Sequence, residues 1–234
     1  MKNEVYSELR KINESKRRAI IEKHISNGVL IPCCDGVIIG EDVKIGRNTL
    51  ILKGTVLLGN TEIAGECKIG FDSLIYESKI GSGAALNCVQ CFESEVGENA
   101  DIGPFVHIRP GSVIKNQVHL GNFVEVKNSV IGEKTKVSHL TYVGDSDVGN
   151  GVNFGCGCVT VNFDGKNKHR TKIGNRAFIG CNTNLVAPVK IGERAYTAAG
   201  STVTEDVPDD CLAIGRARQV NKEGWVIKKS PYRE

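Results

Sequence analysis

The chain has 234 residues, a formal net charge of +3 at neutral pH and 6% aromatic residues. So mild a charge, with a single Trp, gives neither the electrostatic footprint nor the stacking platform of a nucleic-acid binder, and no apolar stretch is long enough to span a bilayer. Nine cysteines, an odd number, behind a charged N-terminus that is no signal peptide point to a reducing cytoplasm rather than a disulfide framework.

Residues 1–36 read as a helical cap or arm. Val5, Leu9 and Ile12, then Ile20, Ile21, His24 and Ile25, give interrupted helical spacing, with Ser15 as the N-cap and Asn27-Gly28 as the stop. A helix here would cover the first coil of the repeat that begins at 37, because solenoid ends otherwise expose core and strand edges. A frayed helical arm is the alternative.

From 37 to 206 the chain keeps a six-residue rhythm. Ile39, Ile45, Ile51, Leu57, Ile63, Ile69 and Ile75 fall at unbroken steps of six. Two places before each stands a small or β-branched residue: Val37, Val43, Thr49, Thr55, Thr61, Cys67 and Ser73. The beat slips and resumes at Ile80, Val96, Ile131, Val148 and Ile173. Neither a helix nor a simple alternating strand has this period. A hexapeptide β-helix does: each hexad is a short strand and a turn, and three hexads close one triangular coil, an all-β architecture. Gly follows the inward aliphatic at many places, among them Gly40, Gly46, Gly103, Gly121 and Gly155, which reads as corners that need positive φ. The repeat alone leaves the hand of the coil open.

Between Thr160 and Ile173 the rhythm fails. An insertion into a solenoid must leave the wall as a loop, here 161–172, and such loops often build binding sites. Its Lys166, Lys168, Arg170 and Lys172 would suit a phosphorylated ligand, and would equally suit a solvated surface loop. After Val203 the beat fades. The tail, 207–234, carries Arg216, Arg218, Lys222, Trp225, Lys228 and Lys229.

Register adds columns to the fold. With three hexads per coil, Val137 stacks on Leu120, Phe154 on Val137, Ile179 on Phe154 and Thr197 on Ile179. Two places after each lies an outward column: Asn122, His139, Cys156, Cys181 and Ala199. A histidine would then stand below a line of small side chains, a groove fit for an extended ligand. Arg109 and Lys127, 18 residues apart, share another column at the position where Gly is usual. Two stacked cations repel unless an anion bridges them, which favours a phosphate contact. Cys67 and Cys158 fall at the small inward position and read as core filler. Cys88-Val-Gln-Cys91 has metal-type spacing without a second pair of that kind, and His107 and His119 point outward on different faces without a third partner, so no metal site is expected.

Several of these segments carry a resemblance. Ile102-Gly-Pro104, Arg109-Pro-Gly111, the runs 121–127, 139–145 and 162–165, and then 185–188, 198–204 and 222–225 resemble the acetyltransferase domain of the bifunctional N-acetylglucosamine-1-phosphate uridyltransferase/glucosamine-1-phosphate acetyltransferase. The likeness is specific over 100–226 and weaker before it. It implies a homotrimer of left-handed parallel β-helices that moves an acetyl group from acetyl-CoA to the amine of glucosamine 1-phosphate, feeding UDP-GlcNAc and cell-wall precursor synthesis. By the resemblance His139 is the general base; an ammonium cannot attack a thioester, and an imidazole, which titrates near neutrality, can take the proton that frees the amine to attack. Arg109 and Lys127 match residues that hold the sugar phosphate, Tyr142, Asn153 and Asn162 match sugar contacts, and Lys168 matches a lysine of the loop. Ala199 and Arg216 match acetyl-CoA contacts, and a backbone N–H near Cys156 would serve the oxyanion.

Three positions depart from the family, all on the acyl-CoA side: Cys156 replaces an Ala, Cys181 a Ser and Phe163 a Tyr. The nucleotide-binding half of that enzyme has no counterpart here, so uridylyl transfer is not expected and a separate uridylyltransferase becomes the natural partner. Three rivals stay open: an acyltransferase acting on a nucleotide-linked amino sugar, a catalytically silent trimeric scaffold for a nucleotidyltransferase, and, third, a metal-dependent hydratase.

Overall fold

The computed structural model describes residues 2–229, so the end of the expected tail, 230–234, lies outside the described residues. Strands of two to four residues form three parallel sheets of ten, nine and ten strands, and up to the last strand, Leu212–Ala213, every third strand along the chain is a neighbour. Sheet 1 runs from Ile38–Ile39 to Thr202–Val203, sheet 2 from Lys44–Ile45 to Val189–Ile191, and sheet 3 from Leu50–Ile51 to Leu212–Ala213. The three sheets wall a triangular prism, a left-handed parallel β-helix built on hexapeptide repeats.

The hexad dictates this shape. Its aliphatic points inward, so Ile39, Leu57 and Ile75 stack fully buried in one continuous core. The small inward residue two places earlier is also buried, and its hydroxyl usually finds a backbone partner: Thr49 Oγ1 donates to the Ala64 carbonyl and Thr135 Oγ1 to that of Gly149, each at 2.8 Å, while Thr171 Oγ1 is buried without one. Ser or Thr thus costs little there.

Four stacking expectations hold in the pairing register: Leu120 with Val137, Val137 with Phe154, Phe154 with Ile179 and Ile179 with Thr197. The reason given for the glycines does not. Among the described residues, Gly103 is the only glycine directly after an inward aliphatic that has positive φ, at 116°. The others are there because neighbouring coils approach closely. A Cβ on Gly121 would run into the Ser138 carbonyl oxygen, and one on Gly46 into the Gly65 amide. Positive φ falls further along each corner, often at residues with side chains, as at Asn48 (60°), Phe123 (59°) and Leu140 (43°).

Both expected ends of the repeat move outward. Leu30 already pairs with Leu50, and Val29 and Ile31 are buried in the core, so coiling begins before 37. At the other end Val207 bridges to Ile191, Leu212–Ala213 pairs with Tyr196–Thr197, and the Thr202 amide donates to Gly215, so the wall continues past 206. The rhythm was too short at each end to be heard without its partner strands.

Two helices precede the prism, α1 (Lys2–Lys11) and α2 (Glu14–Ser26). The cap of α2 is Asn13, whose side chain accepts the Lys16 amide at 2.9 Å, in place of the expected Ser15. α2 closes the end of the core with Ile21, and Arg17 donates to the carbonyls of Cys34 and Val37, both at 2.9 Å. α1 instead lies along sheet 1, packing Val5 and Leu9, with Ile12 just after it, on Leu58, Tyr76 and Phe92.

Candidate active site

The corner that joins sheet 3 to sheet 1 carries the site's main elements. Strand Lys136–His139 ends sheet 3's contribution, Leu140 turns with positive φ, and Tyr142–Gly144 starts the next strand of sheet 1. Thr141 Oγ1 donates to the His139 carbonyl at 2.7 Å and ties the corner together. His139 is register-paired with Asn122 and exposed.

On the sheet 1 side a charged cluster fills two columns. Ile108 pairs with Val126 and Lys127 with Gly144, so Arg109 and Lys127 do share a column. The expected repulsion is relieved within the chain. Arg109 bonds Glu125 at 2.8 Å, and Lys127 stands 3.6 Å from Asp145. Asp145 is the hub, with its side chain only 5% exposed. Asn128 donates to one carboxylate oxygen at 2.5 Å, and Asn162 donates to the other and also to the Tyr142 hydroxyl at 3.4 Å. Burial pushes the Asp145 carboxyl up, but the two amides, Lys127 and Lys168 outweigh it and hold it below the usual carboxylate range. Lys168 faces Lys127, and that contact and repulsion, with burial, lower its ammonium from the usual lysine value; Asp145 and Tyr142 act the other way. Two ammonium groups held together over one carboxylate make a ready anion seat.

The inserted loop leaves the wall between Val159–Val161 and Thr171–Ile173, and an antiparallel bridge joins Phe163 to Lys168. Asp164 shapes it. The amides of Asn167 and Lys166 and the His169 ring, 2.8 Å away, all point to its carboxylate, which falls to about 2. Among the four loop cations, Lys168 joins the anion seat. Arg170 is a strut, donating to the carbonyls of Asn128 and Ser146 and to Asp147. Lys172 lies on sheet 2 between Asp147 and Lys190.

On the other side of the corner, the small-residue column stands as the register implied. Asn182 donates to the Cys156 carbonyl and Gly200 to that of Cys181, both at 2.8 Å, which carries the line from His139 through Cys156 and Cys181 to Ala199. Arg216 lies over Gly200 at the top of that line. Phe163 is exposed on the loop. Asn153 belongs to neither group. It sits in the middle of sheet 3, paired with Lys136 and Phe178.

Asp145, Asn128 and Glu125 were not foreseen as site residues. Asn128 and Asp145 sit at positive-φ corners one coil apart, φ 46° and 47°, where an Asx residue reads simply as a turn former. Their signal is that two such residues stack beside a cation column. Two further histidines are accounted for locally. His107 packs edge-on against Phe92, with burial chiefly pulling its imidazole down, and His119 pairs with Asp101 at 3.0 Å. Cys91 is inward and fully buried, its thiol pushed up to about 12 by burial. No group of three or more metal-ligating side chains is assembled among the described residues.

A fold of hexapeptide coils defines the hexapeptide-repeat class, and residues 170–205 match the family model described as bacterial transferase hexapeptide (six repeats). The chain is 57% identical over 213 residues to the bifunctional protein GlmU of Caldanaerobacter subterraneus subsp. tengcongensis, covering 91% of this chain and 47% of that protein. It is 51% identical over 222 residues to GlmU of Clostridium acetobutylicum, covering 95% and 49%. It thus spans about half the length of these relatives, and the part of them that it resembles is their C-terminal acetyltransferase region. An Arabidopsis UDP-N-acetylglucosamine acyltransferase structure shares the fold, with a TM-score of 0.51 at 14% identity over 80% of this chain and 70% of that one.

Proposed function

We propose that the chain transfers an acetyl group from acetyl-CoA to the amine of glucosamine 1-phosphate. The observation that carries this reading is the juxtaposition at one corner: an exposed imidazole at His139 and, around the turn at Leu140, an anion seat of Lys127 and Lys168 over Asp145, with Arg109 stacked below. The seat takes the sugar phosphate, and Tyr142 and Asn162 take the sugar. His139 removes a proton from the amine as its nitrogen attacks the thioester carbonyl. The Cys156 N–H, which donates to nothing else among the described residues, belongs to the same column and would serve the oxyanion. Collapse expels the donor's thiol, which leaves with the proton, and the amide product remains. The donor supplies only the activated acyl carbonyl. Cys156, Cys181 and Ala199 are small enough to leave its linear arm room along the column, and Arg216 stands where the arm's phosphates would end.

The working unit is a homotrimer in the cytoplasm. Three exposed apolar features support assembly: the stacked Phe105 and Phe123 with centroids 5.4 Å apart, Leu140 on the next coil, and Trp225, Val226 and Ile227 in α3 (Trp225–Lys229). Asn153, remote from its own chain's cluster, would be presented to a neighbouring copy. No helix among the described residues is long and apolar enough to cross a membrane.

His139→Ala should slow acetyl transfer to glucosamine 1-phosphate by ~10²–10⁴-fold with the circular dichroism spectrum unchanged. An equal rate in both proteins would remove His139 from the mechanism.

A further inference from the structure

The column above His139 contains two thiols one coil apart, at the positions where this chain departs from its resemblance. Pairing of Phe154 with Ile179, and the 2.8 Å bond from Asn182 N–H to the Cys156 carbonyl, place Cys181 directly over Cys156 at the same corner. Neighbouring coils stand ~4.8 Å apart, inside the ~4.4–6.8 Å Cα separation that a disulfide spans. The Cys181 side chain already leans toward the lower coil. Its Sγ would lie 2.8 Å from a Cβ at Gly155, so the missing side chain there leaves its path to Cys156 open. Cys156 is half-buried and Cys181 exposed, so a small reagent reaches both.

Cys158 supplies the contrast. It points inward, is 1% exposed, and its sulfur contacts the carbonyls of Gly155 and Gly180 at 3.1 Å. Burial first of all pushes its thiol up to about 11, with Cys181 and Cys156 adding to the rise. It is a neighbour of the pair and takes no part in it.

We infer that Cys156 and Cys181 form a redox-modification site, a dithiol that closes to a disulfide across two coils when it meets a low-molecular-weight disulfide. The exposed Cys181 thiolate attacks one sulfur of the oxidant RSSR, whose S–S bond breaks and releases RS⁻ to take up a proton. Cys156 then loses its proton and attacks Cys181 Sγ, expelling the second RS⁻. Two protein thiols and RSSR become one protein disulfide and two RSH. The consequence rests on the proposed donor column: a bridge between 156 and 181 crosses the line along which the acyl-CoA arm lies, so oxidation shuts the donor side and a reductant reopens it.

The test uses the full chain treated with oxidised glutathione, alkylated, digested without reduction and mapped by mass spectrometry. The expected result is a dithiothreitol-sensitive peptide pair joined through 156 and 181, together with acetyl-CoA affinity, by calorimetry, weakened about tenfold or more and restored by dithiothreitol. Cys156→Ser and Cys181→Ser each remove the cross-link, and in either variant treatment shifts donor affinity by less than about twofold, whatever its starting value. Persistent glutathione adducts or alkylated thiols at both positions, with no cross-link, would overturn the inference while leaving the donor column untouched. A cross-link that leaves acetyl-CoA binding unchanged supports the thiol pair and removes the donor-column reading instead.

Discussion

Below Ile108 and above it, a single column of sheet 1 is put to opposite uses. The position after the inward residue holds Leu58, Tyr76 and Phe92 in the lower coils, sealed by α1, and then the half-buried Arg109 and Lys127 in the upper coils, beside the inserted loop. The backbone at all five positions is nearly the same, because coil stacking fixes it. Side-chain chemistry alone decides whether the column is a docking strip for the chain's own helix or a seat for an anion. A solenoid separates scaffold from site in this way: the repeat supplies positions at fixed spacing, and function is written into the positions that the core does not use.

The largest effect should come from breaking the sealed half. Leu58 is fully buried between α1 and the wall. Leu58→Ala should cost about 2–5 kcal/mol in denaturant titrations, with the rate per folded molecule unchanged. A loss of turnover without loss of stability would mean that the two halves are coupled after all.

Next is the open half. Lys127→Met removes one charged contact of about 1.5–3 kcal/mol from the anion seat, so the KM for a phosphorylated acceptor should rise about tenfold to hundredfold while the melting temperature barely moves. A change in melting temperature with an unchanged KM would recast Lys127 as a structural partner of Asp145.

The smallest effect is in acid. The Asp145 carboxyl lies below its ordinary value in the fold. Its stabilising contribution is therefore complete above the unfolded value, near pH ~4, and disappears as pH falls through the lower folded value. In titrations below about pH 4, Asp145→Asn should lose less stability than the parent chain; parallel curves would show that the hub carries no such linkage.

The fold was legible because a period of six survives slips: once Ile39 through Ile75 set the beat, the stacking of Leu120, Val137, Phe154 and Ile179 followed by counting. The columns of His139 and of Arg109 were legible for the same reason. Counting does not reveal what a side chain touches. The partners Glu125 and Asp145, the strut at Arg170 and the flanking position of α1 depend on contacts between residues far apart in sequence. The glycines were misjudged because close approach and positive φ select the same residue, and only coordinates separate the two causes.

The claim that the upper column exists to grip a phosphate is tested most directly by acceptor competition. With acetyl-CoA as donor, kcat/KM for glucosamine 1-phosphate is predicted to exceed that for glucosamine by about a hundredfold or more, since two or three charged contacts are at stake, and Lys127→Met should erase most of that ratio. Equal efficiency on the two acceptors would contradict the account.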